Sequence, residues 1–313
     1  MTYFTLVMNP GRSGSRFLYE LIRQNFPDTC AVYHEALHSD ESQPRRLARA
    51  YTDEAVERAL AVPAIRRVVG AWSDQLTTRH VVETGWTAAL LAPVLYRVFG
   101  DRFHVVVLHR HPVLFAASRA VMGNYSDAYS SDSHEQSPFD PISIHPEYRD
   151  RWSAMCAFER CLFWWLEYTD MAIEFIDRHA EVPSLVISSD DLFRNAEKRR
   201  EVLHSMGLDS SRTITIPART NDIQRNSFTV ETYPLGDEWR RYVRHAIVVH
   251  RAEALGYDFG EVYLEEMLSR YRLPQDLIAK LRYYTCFHKR KRRFKRLIQR
   301  FGLMVEGTDE LFR

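Results

Sequence analysis

Short apolar runs alternate along the chain with longer stretches of helical spacing. Phe4 to Met8 is apolar throughout and reads as a buried strand. A tight turn follows, Asn9-Pro10-Gly11-Arg12-Ser13-Gly14-Ser15. Phe17, Leu18, Leu21 and Ile22 then recur at helical spacing through Arg16 to Arg23. Pro27-Asp28 marks a break, and Ala31 to Tyr33 predicts a short strand running into His34-Glu35-Ala36-Leu37-His38. A strand placed directly after the first helix lies most simply beside the first strand. Ser39 to Val69 is polar, with one helix predicted around Asp53 to Ala61. Arg79 to Glu83 reads as another short strand, and Trp86 to Val98 as an amphipathic helix against the sheet.

His104 to Leu108 is the second clear buried strand. It ends in His109-Arg110-His111-Pro112 and leads into a helix through Val121, with Pro112 at a first turn where its missing N–H costs nothing. Gly123 to Pro146 has no periodicity, which suits a binding loop or lid. Tyr148 to Arg178 predicts one long aromatic-rich helix, and Ser184 to Ile187 a third buried strand. Ser188 to Asp191 supply N-caps for a helix from about Leu192, and Gly207 closes a further helix over Glu197 to Met206. Trp239 to Leu255 and Ser269 to Arg282 read as late helices. A basic cluster comes last, His288 to Arg293 with Lys295 and Arg296, followed by apolar residues at helical spacing. Such a segment is either a solvated terminal helix or a binder of an anionic membrane surface or acidic partner.

With 313 residues the chain can bury a substantial core, as one large α/β domain or two smaller ones. Lys and Arg number 42 against 41 Asp and Glu, so net charge gives no support to nucleic-acid binding, and any basic site is local. The four cysteines, Cys30, Cys156, Cys161 and Cys286, are scattered without metal-ligand spacing. Cys156 and Cys161 fall in an apolar helical pattern and read as buried free thiols, which favours a reducing, cytoplasmic compartment. The first residues run directly into a strand, so no secretory leader is expected, and no apolar run approaches the roughly 20 residues of a membrane span.

The chemistry concentrates at the first turn. A strand, a Gly/Ser-rich turn and a helix point backbone N–H groups and a helix N-terminus at an anion. Gly11 and Gly14 permit positive φ and close approach of a ligand. Ser13 and Ser15 add hydroxyls, and Arg12 and Arg16 add charge. The turn lacks the Lys of a Walker A loop, since Gly14 is followed by Ser15-Arg16. An ordinary β–turn–α connection also favours Gly and Ser, and stays open here. Arg110, at a strand end beside a helix start, suits bidentate recognition of a phosphate, and Ser118 lies two helical turns along. His34, Glu35 and His38 can each serve as a general base.

These residues resemble a family. The first strand with GRSGSRFL is similar to the 5′-phosphosulfate loop of sulfotransferases that use 3′-phosphoadenosine 5′-phosphosulfate (PAPS), in the carbohydrate-type and bacterial branch. The HVVVLHRHPVLFAAS stretch resembles their 3′-phosphate motif: an apolar strand, Arg-x-Pro, then Ser eight residues after the Arg. SLVISSDDLFRN resembles the family's third strand, and the helix from Trp239 to Gly256-Tyr257 its late helix. The resemblance spans Tyr3 to Tyr257.

It implies a P-loop-like three-layer α/β fold with a central parallel sheet flanked by helices. It also implies a metal-free sulfuryl transfer from PAPS to a hydroxyl or amine, leaving the bisphosphate PAP. Carried over by position, Gly11, Arg12, Ser13, Gly14, Ser15 and Arg16 hold the 5′-phosphosulfate, although Arg16 departs from the family's small hydroxyl residue. Arg110 and Ser118 hold the 3′-phosphate. Glu35 matches the base of the Glu branch, with Glu35-Ala36 where many members have Glu-Pro; His34 and His38 are alternatives. On this reading residues 1–270 form the catalytic domain and 271–313 a basic helical extension. The acceptor wall is expected at Gly123 to Pro146 and the aromatic helix after it, facing a small-molecule, glycan or glycolipid hydroxyl, with possible peripheral membrane contact through the basic segment. The competing readings are a P-loop-type small-molecule kinase using ATP and a non-catalytic binding protein of the same fold.

Overall fold

Strand β1 (Phe4–Met8) is buried at every position, so it needs a neighbour on both edges and cover on both faces. The computed structural model, which describes residues 1–37, 52–121, 123–125, 135–217 and 236–269, supplies both. Its sheet contains β2 (Cys30–Tyr33), β3 (His80–Glu83), β1, β4 (Phe103–His109) and β5 (Ser184–Ser188), in that spatial order. Every pairing is parallel, so each connection crosses over through helices.

The pleat divides the core in two. Phe4, Leu6, Met8, Val81, Phe103, Val105 and Val107 face one layer, while Val7, Val82, Val106, Leu108 and Ile187 face the other. Helices α1 (Ser15–Asn25), α7 (Ser189–Arg194) and α8 (Ala196–Ser205) cover the second face through Leu18, Leu21, Ile22, Leu192, Val202 and Leu203. The first face carries α2 (Asp53–Ala61), α3 (Pro63–Gln75), α4 (Ala92–Phe99), α5 (Pro112–Val121) and α6 (Ala157–Arg178). Helices α9 (Ala246–Ala254) and α10 (Glu261–Ser269) close the same layer through Val248, Ala252, Leu264 and Leu268. The result is an α/β fold with a central parallel sheet flanked by helices.

The strand order corrects one expectation. β2 does not lie beside β1; β3 sits between them. Val81, Val82 and Glu83 of β3 are buried, whereas Ala31, Val32 and Tyr33 of β2 are only half-buried, so β2 suits the edge. Several helices are also interrupted where one was predicted. Trp86 to Val98 divides into a 3₁₀ segment (Trp86–Leu91) and α4, because Pro93 has no N–H to continue the ladder. Tyr148 to Arg178 divides into a 3₁₀ segment (Pro146–Ala154) and α6, whose start is fixed by a capping box between Cys156 and Glu159. Cys156 is therefore a half-buried cap and not a core thiol; Cys30 and Cys161 are buried, and all three are free. Trp239 to Leu255 breaks at His245 into a 3₁₀ segment (Asp237–Arg244) and α9. A helix the pattern did not predict, α3, starts at Pro63. The caps at Ser188 and the close at Gly207, with φ 76°, are as expected.

Among the described residues no helix is long and apolar enough to cross a membrane. The basic cluster and Cys286 lie outside the described residues.

Phe4 tests the packing under the sheet's amino edge. It is fully buried, stacks on Phe99 at 4.3 Å and meets Trp72 at 5.2 Å. Phe4→Ala should cost about 3–5 kcal/mol in urea unfolding. A loss below about 1 kcal/mol would show that these rings do not carry the core.

Candidate functional site

The turn between β1 and α1 is shaped by what its carbonyls do. Pro10 O accepts from Arg119 Nη2 at 2.9 Å, Gly11 O from Ser13 Oγ at 3.0 Å and Arg12 O from Arg110 Nη1 at 2.9 Å. Every peptide bond described is trans, so each captured carbonyl turns the following N–H to the opposite side. The Gly11 N–H is taken by Asn9 Oδ1 at 2.9 Å. The N–H groups of Ser13, Gly14, Ser15, Arg16 and Phe17 have no acceptor among the described residues. They form a row of donors that runs into the N-terminus of α1, whose first turn carries no acidic side chain.

Backbone conformation makes that row possible. Gly11, Arg12 and Gly14 all have left-handed φ, at 80°, 52° and 94°. A Cβ on Gly11 would lie 2.2 Å from Arg119 Nη2, and one on Gly14 would lie 2.8 Å from the Phe193 ring. Arg12 adopts this conformation despite its side chain, a strained state of the kind found at ligand sites.

Arg110 and Ser118, which sequence spacing alone could not bring together, meet through Arg12. Arg12 Nε donates to Ser118 Oγ at 3.0 Å while Arg110 holds the Arg12 carbonyl. Trp165 Nε1 donates to the Arg110 carbonyl at 2.7 Å and fixes the strand end. His111 sets the start of α5: its Nδ1 accepts from the Val113 N–H at 3.2 Å and its Nε2 lies 3.1 Å from Asp258 O. Burial holds its pKa down to about 4, as an acceptor Nδ1 requires. Ser15 opens α1. Ser13 directs its hydroxyl proton back to Gly11 O. Arg16 pairs with Glu20 at 3.1 Å and lies over Tyr19, so its charge is already engaged.

Glu35 and His34 reach the same edge of the sheet, one strand farther from the turn than expected. Asn9 Nδ2 donates to Thr84 O at 3.1 Å, which joins the ends of β1 and β3. Thr84 Oγ1 donates to Tyr33 O and lies 3.0 Å from His34 Nδ1, which joins β3 to β2. A hydroxyl has one proton, so His34 Nδ1 is the donor in that pair and the neutral ring keeps Nε2 as its acceptor. Burial lowers the His34 pKa and favours this neutral form. His34 Nε2 lies 4.0 Å from Glu35 Oε1, placing two proton acceptors together. His38 lies outside the described residues.

Glu83 shapes this corner and was singled out by nothing in the sequence beyond an acid ending an apolar run. It is fully buried, and its carboxylate accepts from the N–H groups of Glu35 at 3.1 Å, Ala36 at 3.4 Å and Gly85. Glu35 turns there with φ 58°, and a Cβ on Gly85 would lie 2.2 Å from its nitrogen. The expected aromatic acceptor wall is corrected. Trp164 and Trp165 of α6 are fully buried, with Trp165 bonded to the Arg110 backbone carbonyl and Trp164 against the Arg119 guanidinium, so these two rings do not face a ligand.

No family model matches the chain, and no curated protein sequence matches it. Among solved structures it is similar to a sulfotransferase from Alicyclobacillus acidocaldarius, with 14% identity, 82% of this chain and 95% of that one covered, and a TM-score of 0.43. It is also similar to the sulfotransferase domain of the curacin biosynthetic pathway, at 11% identity, 83% and 99% coverage and a TM-score of 0.46. The sulfotransferase domain of the Synechococcus PCC 7002 olefin synthase gives 12% identity, 83% and 95% coverage and a TM-score of 0.42. At such TM-scores the functional reading rests on the geometry of the site.

Glu83 gives a pH prediction. Burial pushes its carboxyl up to about 7, against the pull of the three N–H donors, while an unfolded glutamate titrates near 4.3. The folded state then holds the proton more tightly. Stability is fully present below about pH 4 and is lost as pH rises through about 7, by roughly 4 kcal/mol at most. Melting temperature should fall across that window in the wild type, and Glu83→Gln should flatten the slope. An unchanged slope in the variant would assign the dependence to other groups.

Proposed function

We propose that the chain is a PAPS-dependent sulfotransferase that transfers a sulfuryl group to a hydroxyl of a small-molecule or glycan acceptor by in-line displacement. The observation that carries this reading is the row of unaccepted N–H groups from Ser13 to Phe17, set directly beside Arg12, Arg110 and Ser118. The turn fits one anionic group and the end of β4 offers a cationic place for another. A donor with both a 5′-phosphosulfate and a 3′-phosphate asks for two such places. ATP would ask for a lysine near Arg16, and Arg16 is instead paired with Glu20.

When bound, PAPS supplies a sulfuryl group whose bond to the 5′-phosphate oxygen breaks as the acceptor oxygen bonds to sulfur. By analogy with phosphoryl transfer, the transition state is loose and rewards positioning and charge stabilisation. Arg12 and the turn's N–H groups stabilise the charge that collects on the departing phosphate oxygen. Arg110 and Ser118 hold the 3′-phosphate and with it the register of the donor. Glu35 takes the proton of the acceptor hydroxyl, and His34 Nε2 is a second acceptor at the same place. Glu83 keeps the Glu35 turn in position through its two N–H contacts there. Cytoplasmic work, and contact of the basic segment with an anionic membrane surface, belong to the same proposal.

Calorimetric titration of adenosine 3′,5′-bisphosphate against 5′-AMP and ADP tests the reading. The wild type should prefer the bisphosphate, and Arg110→Ala should lose at least about tenfold in affinity, as expected for a charge-assisted phosphate contact. Glu35→Gln should bind it as the wild type does yet transfer sulfate at under about a tenth of the rate to the best hydroxyl acceptor of a screened panel. No preference for the 3′-phosphate would contradict the proposal and favour ATP with magnesium.

A further inference from the structure

Arg119 lies beside the turn that it helps to shape. It follows Ser118 on α5, and its side chain is buried, with 7% exposure. The guanidinium carbon sits 4.2 Å from the Trp164 ring centroid, 5.2 Å from Trp86 and 5.7 Å from Phe115. Nη2 donates to Pro10 O at 2.9 Å. Nε is buried without an acceptor, and among the described residues no carboxylate is in ion-pair contact with the guanidinium; the Glu35 carboxylate acts on it from farther away.

A charge taken out of water without a counter-charge is strongly unfavourable. Aromatic faces attract a cation but do not neutralise it, and one carbonyl dipole does so only in part. The low-dielectric walls that make the burial unfavourable also transmit the charge with little screening. What lies in front of the guanidinium is the turn itself. Gly11 has no side chain where Nη2 sits, and a Cβ would be 2.2 Å from it. The guanidinium thus touches the backbone of the segment whose next N–H groups form the donor row.

We propose that Arg119 is the positioning residue of the anion turn: its charge, which no carboxylate contacts and which Trp86, Trp164 and Phe115 seal behind Gly11, is matched by the phosphate- or sulfate-type group that the turn receives, without contact between them. The inference rests on the turn being an anion site, but not on the 3′-phosphate or on sulfuryl transfer. It separates Arg119 from a mere hydrogen-bonding brace, which a neutral donor of similar reach would replace.

Inorganic pyrophosphate is the probe, since it carries no nucleoside and no 3′-phosphate. Calorimetry on the wild type, Arg119→Lys and Arg119→Gln, each checked for folding by circular dichroism, separates charge from bracing. The lysine variant should stay within about threefold of the wild type, and the glutamine variant should bind at least about 30-fold more weakly, with a shallower dependence on salt. A folded glutamine variant within about threefold of the wild type would overturn the proposal, as would a wild type that binds no pyrophosphate. If the glutamine variant does not fold, the wild type still decides. The Arg119 Nε–H resonance, assigned by its loss in Arg119→Lys, should shift on saturation with pyrophosphate, and an unmoved resonance would overturn the proposal. Pyrophosphate binding without preference for the bisphosphate would sink the proposed function and leave Arg119 standing. The bisphosphate preference with a silent Arg119 would do the reverse.

Discussion

A planar peptide cannot present its carbonyl and its N–H on the same side, and the β1–α1 turn depends on that constraint. Arg119, Ser13 and Arg110 each hold a carbonyl from one side. In the last of these planes the Ser13 N–H faces the other way and opens the donor row that continues into the first turn of α1. The glycines at 11 and 14 are needed for the same reason, since their left-handed φ values bend the chain so that successive N–H groups converge. Ser13 belongs to the turn itself, but Arg110, just past β4, and Arg119, on α5, come from far along the chain, so the turn takes this shape only once the central sheet has formed.

The carboxyl edge of the sheet is tied together by side chains that are not themselves candidates for chemistry. Asn9 joins β1 to β3, Thr84 joins β3 to β2, and Glu83 holds the Glu35 turn. This corner compensates for the interposed strand. β2 lies at the sheet's edge, yet His34 and Glu35 are anchored to the end of β3, which pairs with β1 directly. The cost is a fully buried carboxylate, and its raised pKa is the sign of that cost.

The apolar runs made β1 and β4 legible, because a strand covered on both faces reads as continuous hydrophobicity. Ser184 to Ile187 reads the same way, yet β5 is the other edge strand, where of its five residues only Ile187 is buried and Val186 is exposed. The Gly/Ser turn and the Arg-x-Pro strand end were legible because their residue types carry backbone and charge requirements. Strand order was not, since Ala31 to Tyr33 and Val81 to Glu83 are both short and only burial decides which takes the edge. The helix breaks at Pro93 and His245 lay inside continuous apolar periodicity, which does not report where a 3₁₀ segment ends. Arg119 read as one polar residue on an apolar helix. Its role appears only when Trp86 and Trp164, 33 and 45 positions away along the chain, close around it.

The central claim is that the N–H groups of Ser13 to Phe17 are a ready-made anion receptor. The most direct measurement is a ¹⁵N–¹H correlation spectrum followed through a titration with adenosine 3′,5′-bisphosphate. The amides of Ser13, Gly14, Ser15, Arg16 and Phe17 should show the largest shifts, moving together to one saturation point, because hydrogen bonding to an anion deshields each of them. Saturable binding that leaves those five amides unmoved would contradict the account and place the anion elsewhere in the fold.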